Sequence, residues 1–165
     1  MKSAIRFPWI ITKHFSSLYN DYPHPGIDLI PENARILPKM NEKEKSIVDA
    51  IRYAAKIPAY FSGRVVFTGW VTCAGYTVIM DSRIRQDIIR CGYSHLSRIL
   101  VKTGDKMKKG NFLGNMGSTG TDDIHLHFAI VKNPNLSAEN FYEETRFMNP
   151  IDFLNRAEWK MISEE

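Results

Sequence analysis

From residue 63 onward the chain alternates apolar and polar side chains in short runs, and turn residues separate the runs. RVVFTGW (64–70), YTVIMD (76–81), DIIRCGYSHL (87–96) and IHLHFAIV (124–131) each read as a strand. They are rich in the β-branched and aromatic residues that suit a pleated, half-buried surface. Thr103-Gly104-Asp105 and Lys109-Gly110-Asn111 mark turns, and Gly114, Gly117 and Gly120 punctuate the stretch that follows. The pattern predicts a mainly β (α+β) protein with an antiparallel sheet at its core and one inserted helix. A length of 165 residues suits a single domain.

The helix is expected over 41–56, NEKEKSIVDAIRYAAK. Asn41 can cap it, Glu44 follows three residues later as in a capping box, and Pro58 ends it. Ile47, Val48, Ile51 and Ala55 recur at helical spacing and are expected to be buried. Glu42, Lys43, Lys45, Asp49, Arg52 and Lys56 fall on the outward face. Residues 1–22 read as an irregular extension that wraps the domain, with aromatics at Phe7, Trp9, Phe15, Tyr19 and Tyr22. The domain proper is expected over 23–154, with an insert at 41–57, and 155–165 as a tail.

Composition excludes several classes. Lys and Arg exceed Asp and Glu by 4, a charge too diffuse to indicate nucleic acid, and none is expected as a partner. No window approaches 18 consecutive apolar residues, so no membrane span is expected. Cys73 and Cys91 are too few for a disulfide scaffold or a four-cysteine zinc site and read as free thiols. Met107, Met116 and Met148 read as core filler. Arg6, Pro8 and Lys13 interrupt the amino-terminal apolar residues, so no export signal is visible.

Chemistry concentrates in the five histidines, His14, His24, His95, His125 and His127. His14 matches no pattern and reads as a surface residue. In His24-Pro25-Gly26-Ile27-Asp28 the two functional ends would lie about 13 Å apart in an extended strand. A bend at Pro25-Gly26 brings imidazole and carboxylate together, a pairing suited to zinc. In His125-Leu126-His127, alternation puts both imidazoles on one face of a strand. One can then bind a metal while the other reaches substrate or water. Tyr93-Ser94-His95-Leu96 completes the set, with His95 thirty residues before His125.

The order H-x-x-x-D, Y-x-H-L, H-L-H-F resembles the lysostaphin and LytM-type zinc endopeptidases over residues 22–154. HPGIDL, GRVVFTGW, GYTVIMD, the run from YSHLSRILVKTGDKMKKG to GSTGT, HLHFAI and NPIDFL all share in the likeness. The resemblance implies His24, Asp28 and His127 as ligands of one zinc ion per chain, and His95 and His125 as the catalytic pair. Three protein ligands leave a fourth position for water, as a catalytic site requires. The resemblance implies a peptidase that cuts peptide cross-links of bacterial peptidoglycan, and a monomer is expected. It acts at the cell wall, by phage-type release or as a trimmed chain. The alternative is a non-catalytic domain of the same type that binds and activates another wall hydrolase.

The chain departs from that pattern in three places. Asp122-Asp123-Ile124 stands where a small pair usually precedes H-L-H, the span from Asp28 to Gly63 is longer and holds the helix, and the hairpin between Asp81 and His95 is extended. Loops of this kind set substrate preference, so the expectation is conventional machinery with individual specificity.

Overall fold

The computed structural model describes residues 9–16, 18–19, 22–155 and 159–161. The first strands are β1 (Trp9–Lys13), β2 (Leu18–Tyr19), β3 (Tyr22–Pro23) and β4 (Ile27–Pro31). The helix α1 (Glu42–Ala54) follows, then β5 (Lys56–Pro58), β6 (Gly63–Val71), β7 (Gly75–Ile84) and β8 (Asp87–Ile99). The chain continues through β9 (Lys106–Met107), β10 (Phe112–Met116) and β11 (Leu126–Lys132). It closes with β12 (Phe147–Met148) and β13 (Trp159–Met161).

One sheet runs β13-β1-β4-β11-β8-β7-β6-β9, with β10 joining β8 to β5 and β12 beside β11. Pairings among the described strands are antiparallel except β1 with β13. The alternating runs thus become neighbouring strands. Among the described residues no helix is long and apolar enough to cross a membrane.

Alternation assigns each strand two faces. Ile27 and Leu29 of β4, Tyr93 of β8, and Leu126, Phe128 and Ile130 of β11 are fully buried in the main core. The residues between them face the other way. Ala129 and Val131 form a second cluster there with Ile79 and Phe141. Register places Asp28 opposite His127, and His127 opposite Ser94. The polar residues of H-x-x-x-D and H-x-H therefore meet on the face away from the main core, while the apolar residues beside them anchor the strands. Met116 is buried and Met107 and Met148 pack against the core, as expected of filler. Both cysteines are free, Cys73 exposed and Cys91 buried.

Three expectations need correction. The amino-terminal segment is not an irregular wrap where it is described. Trp9, Ile10 and Ile11 are buried in β1, which pairs with β4. A run buried in succession carries no period-two signal. Residues 1–8, with Phe7, and positions 17 and 20–21 lie outside the described residues. The tail is likewise part sheet, since β13 pairs with β1.

The helix forms where predicted, and the Asn41 side chain accepts from the Glu44 amide at 2.8 Å. Its buried stripe is different, however. Val48 and Arg52 are buried, whereas Ile47 is 55 % exposed. The surface facing the helix offers carbonyl oxygens as well as apolar atoms. Arg52 Nε donates to the Ala34 carbonyl at 2.8 Å and Nη1 to the Ile124 carbonyl at 3.1 Å. A guanidinium is the better fit to such a surface than an isoleucine.

Gly26, just before β4, packs against the backbone of β11. A Cβ added there would sit 2.3 Å from the Phe128 carbonyl oxygen. Gly26→Ala is expected to push the strands apart and cost about 1–3 kcal/mol, as overpacking does. Denaturant unfolding measures the loss. A midpoint equal to that of the parent would show that the strands have room to spare.

Candidate functional site

The bend at Pro25-Gly26 leads directly into β4, and it brings the His24 and Asp28 side chains together. His24 Nε2 lies 3.1 Å from Asp28 Oδ1. His127 Nδ1, from the neighbouring strand, lies 3.1 Å from the same oxygen. Among the described residues, His24, Asp28 and His127 form a group whose donor atoms all fall within 4.8 Å of one another. Tetrahedral zinc with ligand bonds of about 2.0–2.2 Å needs donors roughly 3.3–3.6 Å apart.

The protonation pattern also favours a cation. His24 Nδ1 lies 3.0 Å from the His14 carbonyl and donates to it, so in the neutral ring Nε2 carries the lone pair. That lone pair faces Asp28. Burial works against charge on Asp28, but the His127 and His24 imidazoles, which donate to it when protonated, outweigh burial and hold the carboxyl well below its ordinary range. Burial also favours the neutral form of His127. Electron-rich atoms converging this closely repel unless a proton or a metal ion stands between them. The donor set therefore fits a zinc ion, and the His14 carbonyl fixes the orientation of the His24 ring.

His95 and His125 join the same constellation. Their ring centroids are 4.9 Å apart, and His125 Nε2 lies 3.5 Å from Asp28 Oδ2. His125 enters β11 through a bridge to Gly117. His95 is placed by an irregularity in β8. The β7–β8 register shifts between Tyr76 and Val78, the His95 amide donates to the Ala74 carbonyl at 2.8 Å, and His95 takes φ +65°. A left-handed backbone costs a non-glycine residue about 1–2 kcal/mol. The irregularity turns the imidazole into the groove. Burial lowers the His95 pKa from 6.5 to about 4, so the ring is neutral at neutral pH.

A groove of about 730 Å³ runs over these groups, lined by all five predicted site residues. Thr12 and Lys13 flank it on one side, and Thr72, Cys73 and Ala74 from the β6–β7 turn flank it on another. Asp122 and Asp123 also line it. Among the described residues none from α1 lines the groove, and α1 stands behind its wall.

Sequence reasoning missed Tyr142. Its ring lies 6.0 Å from that of His127, it lines the groove, and its hydroxyl is hydrogen-bonded to Ser94. It comes from a 3₁₀ segment with no motif of its own. Gly92 was the available signal, because a Cβ there would meet Phe141 at 2.5 Å and the Tyr142 hydroxyl at 3.1 Å. His14 is exposed as expected, but its carbonyl orients His24, a role that no side-chain pattern encodes.

An antiparallel sheet thus presents two imidazoles and a carboxylate to one point, a donor set that fits a metal ion, with two more imidazoles beside it. Peptidase family M23 matches residues 42–139, and the chain belongs to that family. His24 and Asp28 precede the matched span and join it through the β4–β11 register.

The glycyl-glycine endopeptidase ALE-1 of Staphylococcus capitis is 32 % identical over 103 residues, 61 % of this chain and 26 % of the relative. A lipoprotein NlpD/LppB homolog of Pseudomonas aeruginosa is 34 % identical over 86 residues, 52 % of this chain and 28 % of the relative. The chain thus spans little more than a quarter of these relatives. The catalytic domain of lysostaphin from Staphylococcus simulans superimposes with a TM-score of 0.58 at 23 % identity, covering 90 % of this chain and 89 % of that one. That likeness shows the fold: a mainly antiparallel sheet with few helices.

Proposed function

We propose that this chain is a zinc-dependent endopeptidase that hydrolyses peptide cross-links of bacterial peptidoglycan at the cell wall. Zinc is held by His24, Asp28 and His127, and His95 and His125 handle protons. The observation that carries the reading is the convergence of these five side chains, from three sequence-distant segments, in one groove. The relationship to ALE-1, named as a glycyl-glycine endopeptidase, supports a peptide substrate. A phage lysin or tail-associated lytic enzyme is a setting consistent with such a domain.

When bound, zinc supplies Lewis acidity toward a peptide carbonyl and toward water. The chain's own residues do the rest. His95 donates Nδ1–H to the Thr119 carbonyl at 2.7 Å, and His125 donates Nδ1–H to the Asp123 carbonyl at 3.0 Å. In the neutral tautomer that these bonds select, the Nε2 lone pair is left for the groove. One imidazole takes a proton from water, and the other, protonated, donates to the developing oxyanion or the leaving amine. The shallow groove receives an extended peptide alongside both rings.

The NlpD-type relative supports a second reading, a wall-binding domain that activates another hydrolase. Retention of all five groups favours the enzyme. Digestion of purified peptidoglycans, one glycine-bridged and one directly cross-linked, followed by mass analysis, tests the choice. The expected result is new peptide fragments from at least one wall type, abolished by a chelator and restored by zinc. Binding without fragments from either type would leave the activator reading in place.

A further inference from the structure

Helix α1 makes no wall of the groove, yet two adjacent residues of its last turn grip both ends of the loop that does. At the start of the loop, the Tyr53 and Ser118 hydroxyls are 2.8 Å apart. At its end, Arg52 Nη1 donates to the Ile124 carbonyl at 3.1 Å and to Asp123 Oδ1 at 3.3 Å, while Nε is tied to Ala34 at 2.8 Å. Between these grips lie the two carbonyls that orient the imidazoles, that of Thr119 for His95 and that of Asp123 for His125. The other oxygen of the Asp123 carboxylate, Oδ2, lies 3.8 Å from His125 Nδ1.

We propose that Arg52 is a positioning residue for His95 and His125, acting by fixing the 117–124 loop whose carbonyls hold both rings. This rests on the reading of those two residues as the proton-handling pair. The physical case is the burial of the charge. The Arg52 side chain is 5 % exposed, and its acceptors come from two separate segments. Burying a guanidinium is costly unless its donors are met, and here three acceptors meet them. What the guanidinium adds is geometry, because its planar fork fixes several acceptors at set angles. The loop also carries Thr121, Asp122 and Asp123 into the groove, so the same clamp sets the wall. The aspartates that replace the small pair before H-L-H and the inserted helix thereby belong to one device.

Arg52→Met and Arg52→Lys in the zinc-loaded chain test this. Arg52→Met fills the space without the fork. It is expected to keep zinc content, to lower the thermal midpoint by a few degrees because the Ala34 and Ile124 carbonyls lose their donor, to lower kcat about 10–100-fold through misplacement of the rings, and to leave KM nearly unchanged. Amide exchange in 118–124 should rise about tenfold or more while β7, β8 and β11 stay protected. The Nδ1–H resonances of His95 and His125, observable without substrate, should broaden or disappear. Arg52→Lys should fall between Met and the parent. Tyr53→Phe, which releases the other grip without touching the buried charge, should raise exchange at the Ser118 end and lower kcat. It decides the matter should Arg52→Met fail to fold. Unchanged loop exchange and unchanged Nδ1–H signals in Arg52→Met overturn the clamp, as does a loosened loop with parental kcat. An inert parent chain would instead overturn the peptidase reading. The exchange and resonance data would then still judge whether Arg52 holds the rings.

Discussion

Asp28→Ala is expected to remove stoichiometric zinc and hydrolytic activity together while the sheet survives. Asp28 Oδ1 is the atom both flanking imidazoles face, each at 3.1 Å, so its loss leaves two ring nitrogens with no carboxylate between them. The effect should exceed the roughly 10–100-fold that loss of an outer-shell partner costs a metal site. Folding should be spared, because Ile27 and Leu29 on either side supply the buried anchors of β4. Removing a carboxylate from a half-buried site also lifts a desolvation cost. Metal analysis of the purified variant, with circular dichroism as the control, decides it. Full zinc occupancy with parental turnover would show that the ligand set is different.

The motif positions were legible because alternation is a strong rule. Once IHLHFAIV is a strand, His125 and His127 share a face, and burying Phe128 and Ile130 forces them to the other side. The turn at Pro25-Gly26 was readable for the same reason, since Pro and Gly restrict what the backbone can do there. Partners that are backbone atoms were not legible. The carbonyls of His14, Thr119 and Asp123 orient three imidazoles, and any residue type supplies a carbonyl. The positive φ of His95 was equally hidden, because histidine gives no signal of a strand irregularity.

The helix shows where periodicity misleads. Its 3.6-residue pattern located α1 correctly, but hydrophobicity alone chose Ile47 over Arg52 for the buried face. The facing surface is the end of a loop, with carbonyls that lack strand partners. Arginine satisfies them, whereas an aliphatic side chain would leave buried acceptors unpaired. A helix-length sequence window contains no information about that surface, which comes from Ala34 and from Asp123 and Ile124, the last two more than 70 positions away.

His95 and His125 are expected to separate catalysis from metal binding. Loss of either imidazole should lower kcat roughly 10²–10⁴-fold, the range for a proton-transfer or oxyanion-stabilising group, with zinc content unchanged. His95→Asn is the informative substitution at the first position. Asparagine tolerates φ near +65° far better than alanine, so the irregularity in β8 should persist while the basic nitrogen is lost. His125→Ala serves at the second, because neighbouring Leu126 and the bridge to Gly117 keep the start of β11 in place. If the two rings act on the same proton transfer, the double variant should cost far less than the product of the single losses, as groups that work as a unit do. Multiplicative losses would assign them to separate steps. A variant that sheds zinc would move that histidine into the ligand set, and a variant within about threefold of the parent would remove it from the chemistry, being well below what one such group contributes.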